Sequence, residues 1–249
     1  MSQSLTSTVQ RFPDLDALSR AAARDVTADI HETLQTQDHY TLALAGGSTP
    51  RRLYELLAAE AEGPLPWAQI HLFWGDERFV PLDHPDSNAR MAADALIDAV
   101  PIPAEQVHPM PTHLESPAAT AAAYTETLQR YFADRSATFD TVLLGLGGDG
   151  HTASLFPETG TPEQRRTDEA WVRPVTAPPP HEISRRLTCT LPVFNGARRA
   201  VFLVAGEGKA DALARVLDQD DASLPPAQVR PRDTLRWYVD TAARPRPSE

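Results

Sequence analysis

The stretch that most constrains this chain is residues 139–157, FDTVLLGLGGDGHTASLFP. It opens on an apolar run, Val142 to Leu144, flanked by Phe139 and Leu146. A short aliphatic run ending in glycine is the pattern of a strand buried on both faces of a parallel sheet. Gly145, Gly147, Gly148 and Gly150 follow. Glycine allows positive φ and lets other groups approach the backbone closely. Ligands of open α/β sheets bind beyond the carboxyl ends of the strands, so Asp149 and His151 stand where such a fold keeps its chemistry. Residues 152–156 are expected to start a helix that Pro157 ends or bends. The turn lacks the Lys-Ser/Thr pair of a P-loop, and no acidic residue follows at the distance a dinucleotide fingerprint requires. It is therefore not read as a nucleotide site. Glycine-rich turns are common and lone histidines are mostly structural, so this stretch alone leaves the catalytic and the structural reading open.

The rest of the chain repeats the pattern of strand, polar turn and helix. Residues 15–34 carry apolar positions at helical spacing, from Leu15 and Leu18 to Ile30 and Leu34. Residues 40–45 (YTLALA) form a strand that ends in Gly46-Gly47-Ser48-Thr49-Pro50. Ser48 or Thr49 is expected to cap the next helix, with Pro50 in its first turn. That turn is either an ordinary capped connection or an anion site, since a helix N-terminus offers free N–H groups and a positive dipole end. Residues 69–74 (QIHLFW) form a strand followed by Gly75-Asp76-Glu77-Arg78, a solvated turn or a site. Helices are expected over 86–100 and 116–132, joined by a proline-rich connection with a short strand near Val107.

Beyond the glycine stretch, 158–169 reads as polar and mobile. Residues 171–175 and 186–191 read as strands separated by the breaker Pro178-Pro179-Pro180. Residues 199–205 (RAVFLVA) form a buried strand that ends in Gly206-Glu207-Gly208-Lys209. A helix over 210–217, a strand over 235–239 and a frayed tail from Ala242 complete the chain. There is no fixed-period repeat and no linker. The expectation is one α/β domain, 1–249, with a mostly parallel sheet and helices on both faces.

Charge narrows the ligand. The net charge of −11 argues against nucleic-acid or acidic-membrane partners, and an anionic ligand would need a local basic cluster. Among 23 basic residues there is one lysine, Lys209, at the end of a glycine turn after a buried strand. In a chain that uses arginine elsewhere, this lysine is either a compact point charge placed for a ligand or a chance placement. The lone cysteine, Cys189, excludes an intramolecular disulfide, and the eight histidines contain no His-x-x-x-His pair, so neither metal nor cofactor is expected. The N-terminal residues lack an apolar leader, and no run is long enough to span a bilayer, so a cytoplasmic protein is expected.

Taken together, LALAGGSTPRRLYELL (42–57), HLFWGDERFVPLDHPDSNARM (71–91), the 139–157 stretch, RLTCTLP (186–192) and FLVAGEGKADAL (202–213) resemble the 6-phosphogluconolactonase family, within the glucosamine-6-phosphate deaminase-like group of α/β folds. The resemblance implies hydrolysis of a phosphosugar lactone, 6-phospho-D-glucono-1,5-lactone, to 6-phosphogluconate in the oxidative pentose phosphate pathway. In related deaminases an Asn-Glu-Pro run follows the histidine, whereas here Leu155 and Phe156 precede Pro157, and phenylalanine moves no proton. Either Arg185 or Arg186 fills the family's arginine position.

A lactone is an activated ester, so its hydrolysis needs an oriented, partly deprotonated water. An imidazole with a pKa near about 6.5 accepts that proton at neutral pH, which makes His151 the candidate general base and Asp149 the group that fixes its tautomer. Arg78 or backbone N–H groups are candidates for the developing oxyanion. Gly46, Gly47, Ser48, Asp76, Arg186 and Lys209 are candidates to bind the substrate and its phosphate. Ser154 lies in no nucleophile elbow, so no covalent intermediate is invoked. Two alternatives remain: a glucosamine-6-phosphate deaminase or isomerase, and a sugar-phosphate-sensing module.

Overall fold

Three apolar runs, YTLAL, TVLLG and RAVFLV, become the central strands of the protein because each is buried on both faces. The computed structural model describes residues 5–133 and 138–244. In chain order the elements are β1 (Thr6–Phe12), α1 (Leu15–Thr33), β2 (Tyr40–Leu44), α2 (Ser48–Ala58), β3 (Ile70–Trp74), β4 (Asp76–Arg78), α3 (Asn88–Ala95), β5 (Val107–His108), α4 (Pro117–Phe132), β6 (Thr141–Gly145), α5 (Pro162–Arg166), β7 (Val172–Thr176), β8 (Arg185–Cys189), α6 (Leu191–Asn195), β9 (Arg199–Val204), α7 (Ala210–Leu217) and β10 (Thr234–Asp240).

Seven strands form one sheet in the order β1-β10-β9-β6-β2-β3-β5, and every neighbouring pair is parallel. From β2 the chain runs outward through β3 to β5, then returns to β6 on the other side of β2. The strand order therefore reverses between β2 and β6, where an open α/β sheet leaves a crevice at its carboxyl edge. Buried polar groups fix this junction. Asp140, just before β6, accepts from the backbone N–H and the hydroxyl of Thr41 at 2.9 and 2.8 Å. Two buried tyrosines pin the strand ends. Tyr54 Oη accepts from Ala45 N at 2.9 Å and donates to Ala45 O at 2.8 Å, and Tyr124 Oη accepts from Trp74 N at 2.9 Å.

The helices begin where their caps allow. Asp14 caps α1 through Ala17 N, Ser87 caps α3 through Arg90 N, and Ser116 caps α4 with Pro117 behind it. The expected helix over 86–100 is shorter: α3 ends at Ala95 and a 3-10 turn, Ile97–Ala99, takes over.

Three further expectations are corrected. Residues 152–156 form a tight turn closed by a Thr152–Leu155 bridge, because Thr152 Oγ1 donates to Gly145 O at 2.8 Å and draws the chain back against β6. Within 158–169, α5 is held by a reciprocal Thr161–Gln164 cap and by buried Arg165, which donates to Gln228, Gly160 O and Ser223 O. Ala243, expected in the frayed tail, is buried, and its N–H donates to Asp240 at 2.7 Å; residues 245–249 lie outside the described ones. Strand β1 and a second, antiparallel sheet, β4-β8-β7, were not expected.

Candidate active site

Four strands of the large sheet end at the same edge, and the turns that follow them enclose a cavity of about 250 Å³. From β2 come Gly46, Gly47 and Ser48; from β3 and β4 come Gly75, Asp76 and Arg78; from β6 come Gly147 and His151; from β9 comes Lys209. Arg186 of β8 and Asn88 of α3 add further polar groups to the lining. Of the residues proposed from sequence, all but Asp149 line the cavity, and Asp149 stands behind His151. Arg186 rather than Arg185 faces in. Arg186 is buried, while Arg185 is exposed and lies over the Phe79 ring.

The His151–Asp149 pair is built by its turn. Nδ1 of His151 lies 2.5 Å from Asp149 Oδ1, and the His151 backbone N–H donates to the same oxygen at 3.2 Å. A carboxylate accepts only, so Nδ1 carries the proton and Nε2 is left as the basic nitrogen. Burial works against ionisation of Asp149, but hydrogen bonds from His151 and His181 outweigh it and hold the carboxyl well below the usual carboxylate range. Gly147 is required here, because a Cβ at that position would overlap both His151 Nδ1 and Asp149 Oδ1.

Next to this pair the cavity is cationic. Arg78 donates through Nη1 to Asp86 O at 2.7 Å, while its buried Nε has no protein partner. Arg186 donates through Nε to Ile183 O at 2.9 Å. Arg78 and Arg186 face each other as partners in the β4–β8 ladder. Among the described residues neither arginine nor Lys209 pairs with a carboxylate, in a chain that carries eleven excess negative charges. The β2 turn adds backbone donors. Gly47, at φ 99°, precedes α2 without a side-chain cap, so neither Ser48 nor Thr49 plays the expected capping part and the helix N-terminus stays open.

The neighbouring acids serve the frame. Asp76 accepts from Ser154 Oγ at 2.7 Å and from Asn88 Nδ2, so Ser154 is fully buried and committed to a carboxylate. Glu77 is fully buried and accepts from the backbone N–H groups of Asn88, Ala89 and Arg78, holding α3 against β4.

Sequence reasoning missed Asn88 and His181. Asn88 reads as one more polar residue of the helix expected over 86–100, and its hydrogen bond to Asp76 O in the folded chain holds it beside Gly46. His181 follows the proline run, and no local spacing connects it with Asp149. In the fold its Nε2 lies 3.2 Å from Asp149 Oδ2. Asp149, His151 and His181 each offer a potential metal-ligand atom within 4.8 Å of the others. The separations of 2.5 and 3.2 Å within the group are those of hydrogen bonds across shared protons. No helix among the described residues is long and apolar enough to cross a membrane.

Most of the chain is similar to known proteins. A family profile described as glucosamine-6-phosphate isomerases/6-phosphogluconolactonase matches residues 13–237. The 6-phosphogluconolactonase of Nostoc sp. is 42% identical over 241 residues, covering 95% of this chain and 96% of the relative. The human 6-phosphogluconolactonase is 40% identical over 210 residues, covering 82% and 79%. The crystal structure of 6-phosphogluconolactonase from Thermotoga maritima superposes with a TM-score of 0.81 at 30% identity, covering 94% of this chain and 100% of that one. A monomeric glucosamine-6-phosphate deaminase, at 21% identity and a TM-score of 0.78, shares the fold.

Proposed function

Because the chain belongs to the glucosamine-6-phosphate isomerase/6-phosphogluconolactonase family, we propose that it hydrolyses 6-phospho-D-glucono-1,5-lactone to 6-phospho-D-gluconate in the oxidative pentose phosphate pathway. The observation that carries this reading is the meeting, in one cavity, of a tautomer-fixed histidine and three cations without carboxylate partners. The substrate calls for both halves: a carbonyl carbon open to water, and a phosphate bearing about −1.5 to −2 charge.

In this reading the phosphate lies against Arg186, Lys209 and the Gly46-Gly47-Ser48 turn. Water attacks C1, and His151 Nε2 takes its proton. The carbonyl oxygen becomes an oxyanion, towards which Arg78 supplies charge and a donor. Asp149 stabilises the imidazolium through Nδ1–H. Collapse of the tetrahedral intermediate breaks the bond from C1 to the ring oxygen, and His151 returns the proton to that oxygen. The product carboxyl then ionises, so one water is consumed and one proton released. Phe156 is fully buried, with its ring centroid 4.9 Å from that of His151, where a deaminase would need an acid. The whole chain is read as one domain acting in the cytoplasm, on a small molecule and with no nucleic-acid partner.

The test is lactone hydrolysis by the purified protein, with the spontaneous rate subtracted. His151→Ala should lower kcat by about 10²–10⁴-fold with substrate binding retained. Turnover near wild type in that variant would place the base elsewhere. Release of ammonia from glucosamine 6-phosphate would favour the deaminase reading instead.

A further inference from the structure

We propose that His181 is a positioning residue for the reaction: it holds the second oxygen of Asp149 and links Arg186 to the His151–Asp149 pair in one hydrogen-bonded chain. The proposal deepens the reading of His151 as general base and rests on it.

The chemistry of the partners assigns the protons along the chain. Arg186 Nη2 lies 3.4 Å from His181 Nδ1. A guanidinium only donates, so Nδ1 must present its lone pair. The ring proton then sits on Nε2, which faces Asp149 Oδ2 at 3.2 Å and donates to it. Oδ1 of the same carboxylate already accepts from His151 Nδ1 and from the His151 backbone. With His181 in place both oxygens are tied, and the carboxylate cannot rotate away from the base. Without it Oδ2 loses its side-chain donor, and the plane that orients His151 is held from one side only.

The ring of His181 is itself held in place. Its centroid lies 5.0 Å from that of Phe156 and 5.2 Å from that of His151, edge-on to the latter. The segment that carries it is closed at its base by Ala177 N–H donating to Ser184 O at 2.7 Å, and the His181 N–H donates to Pro178 O. Arg186 touches this segment twice, through Ile183 O and through His181. The side chain that the proposed function assigns to the phosphate is therefore one residue removed from the carboxylate that orients the base.

Three substitutions separate hydrogen bonding from bulk. His181→Ala should lower kcat on the 6-phospho lactone by roughly ten- to a hundredfold, the cost of loosened orientation, with little change in KM. His181→Leu, which refills the space beside Phe156 without a donor, should lose as much. His181→Gln, whose amide can donate to Asp149 and accept from Arg186, should recover most of the rate. Proton NMR supplies a second readout: the Nδ1 proton of His151 should give a downfield resonance in wild type and His181→Gln that is weakened or lost in the Ala and Leu variants. Wild-type kcat in His181→Ala would overturn the proposal. So would full activity in His181→Leu, which would reduce the role to packing, or equal losses in all three. Failure of the underlying base reading looks different, since His151→Ala would then keep its turnover whatever the His181 variants do.

Discussion

Lys209→Ala tests whether charge recognition can be separated from chemistry in this site. Lys209 closes a turn whose backbone is held without its side chain: Gly206 N donates to both oxygens of Asp240 at 3.1 and 3.0 Å, and Lys209 N donates to Gly206 O. It precedes α7 but makes no side-chain cap bond, so truncation leaves the helix start intact. The expected loss is thus that of one hydrogen bond to a charged group, about 1.5–3 kcal/mol. At about 1.4 kcal/mol per decade this is roughly ten- to 150-fold in kcat/KM for the 6-phospho lactone. Arg186 and the Gly46-Gly47-Ser48 turn remain, which keeps the loss finite. Glucono-1,5-lactone without a phosphate never makes the contact, so its kcat/KM should change much less. Lys209→Arg should recover part of the loss, because a planar fork on a different stem does not replace a point charge. The assay is kcat/KM for both lactones in wild type and both variants. Equal losses on the two substrates would refute the phosphate assignment and move Lys209 to the reacting carbonyl or to the fold.

Gly147→Ala should push apart His151 and Asp149, which a Cβ there would overlap, and lower kcat by about tenfold or more while unfolding stays cooperative; unchanged kcat would show that the pair tolerates displacement. Burial pushes the Glu77 carboxyl up to about 7, above the ordinary carboxylate pKa of about 4.3. Between those values the folded state holds a proton that the unfolded chain has lost, so this group's contribution to stability is full below the window and is lost as pH rises through it. Urea unfolding from pH 4 to 8 should show that slope in wild type, and Glu77→Gln should remove it while lowering stability overall, since the amide NH2 would face donors where the carboxyl offers an oxygen; an unaltered slope would exclude Glu77 as its source. Treatment with EDTA should leave turnover unchanged, and a loss restored by one divalent ion would instead assign a metal to Asp149, His151 and His181.

The centre of the fold was legible because β2, β6 and β9 are short apolar runs that end in glycine, and burial on both faces leaves no other use for such runs. Strand β1 was not, because TSTVQRF is mostly exposed and exists through its ladder with β10, a pairing more than two hundred residues away. The three charged residues of β4 looked like a turn for the same reason: they are a strand only because β8 lies beside them. In the site, the glycine turns announced Gly46, Gly47, His151 and Lys209, since each follows a buried strand. His181 and Asn88 gave no comparable signal. Their partners, Asp149 and Asp76, are brought to them by tertiary contacts that no local pattern encodes.

The small sheet also decides something that the sequence leaves as a tie. Arg185 and Arg186 are chemically identical neighbours, and a strand turns successive residues to opposite faces, so selection between them is a matter of parity. The β4–β8 register, with Arg78 opposite Arg186, sets that parity. Sliding β8 by one residue along β4 would leave the composition of the two strands unaltered and exchange the twins: the cation now aimed at the cavity would turn to the other face, and its neighbour, now over Phe79, would take its place opposite Arg78. The choice between the two arginines therefore belongs to the strand pairing and not to the loop that carries His181, whose length can vary while β8 keeps its register on β4 and β7.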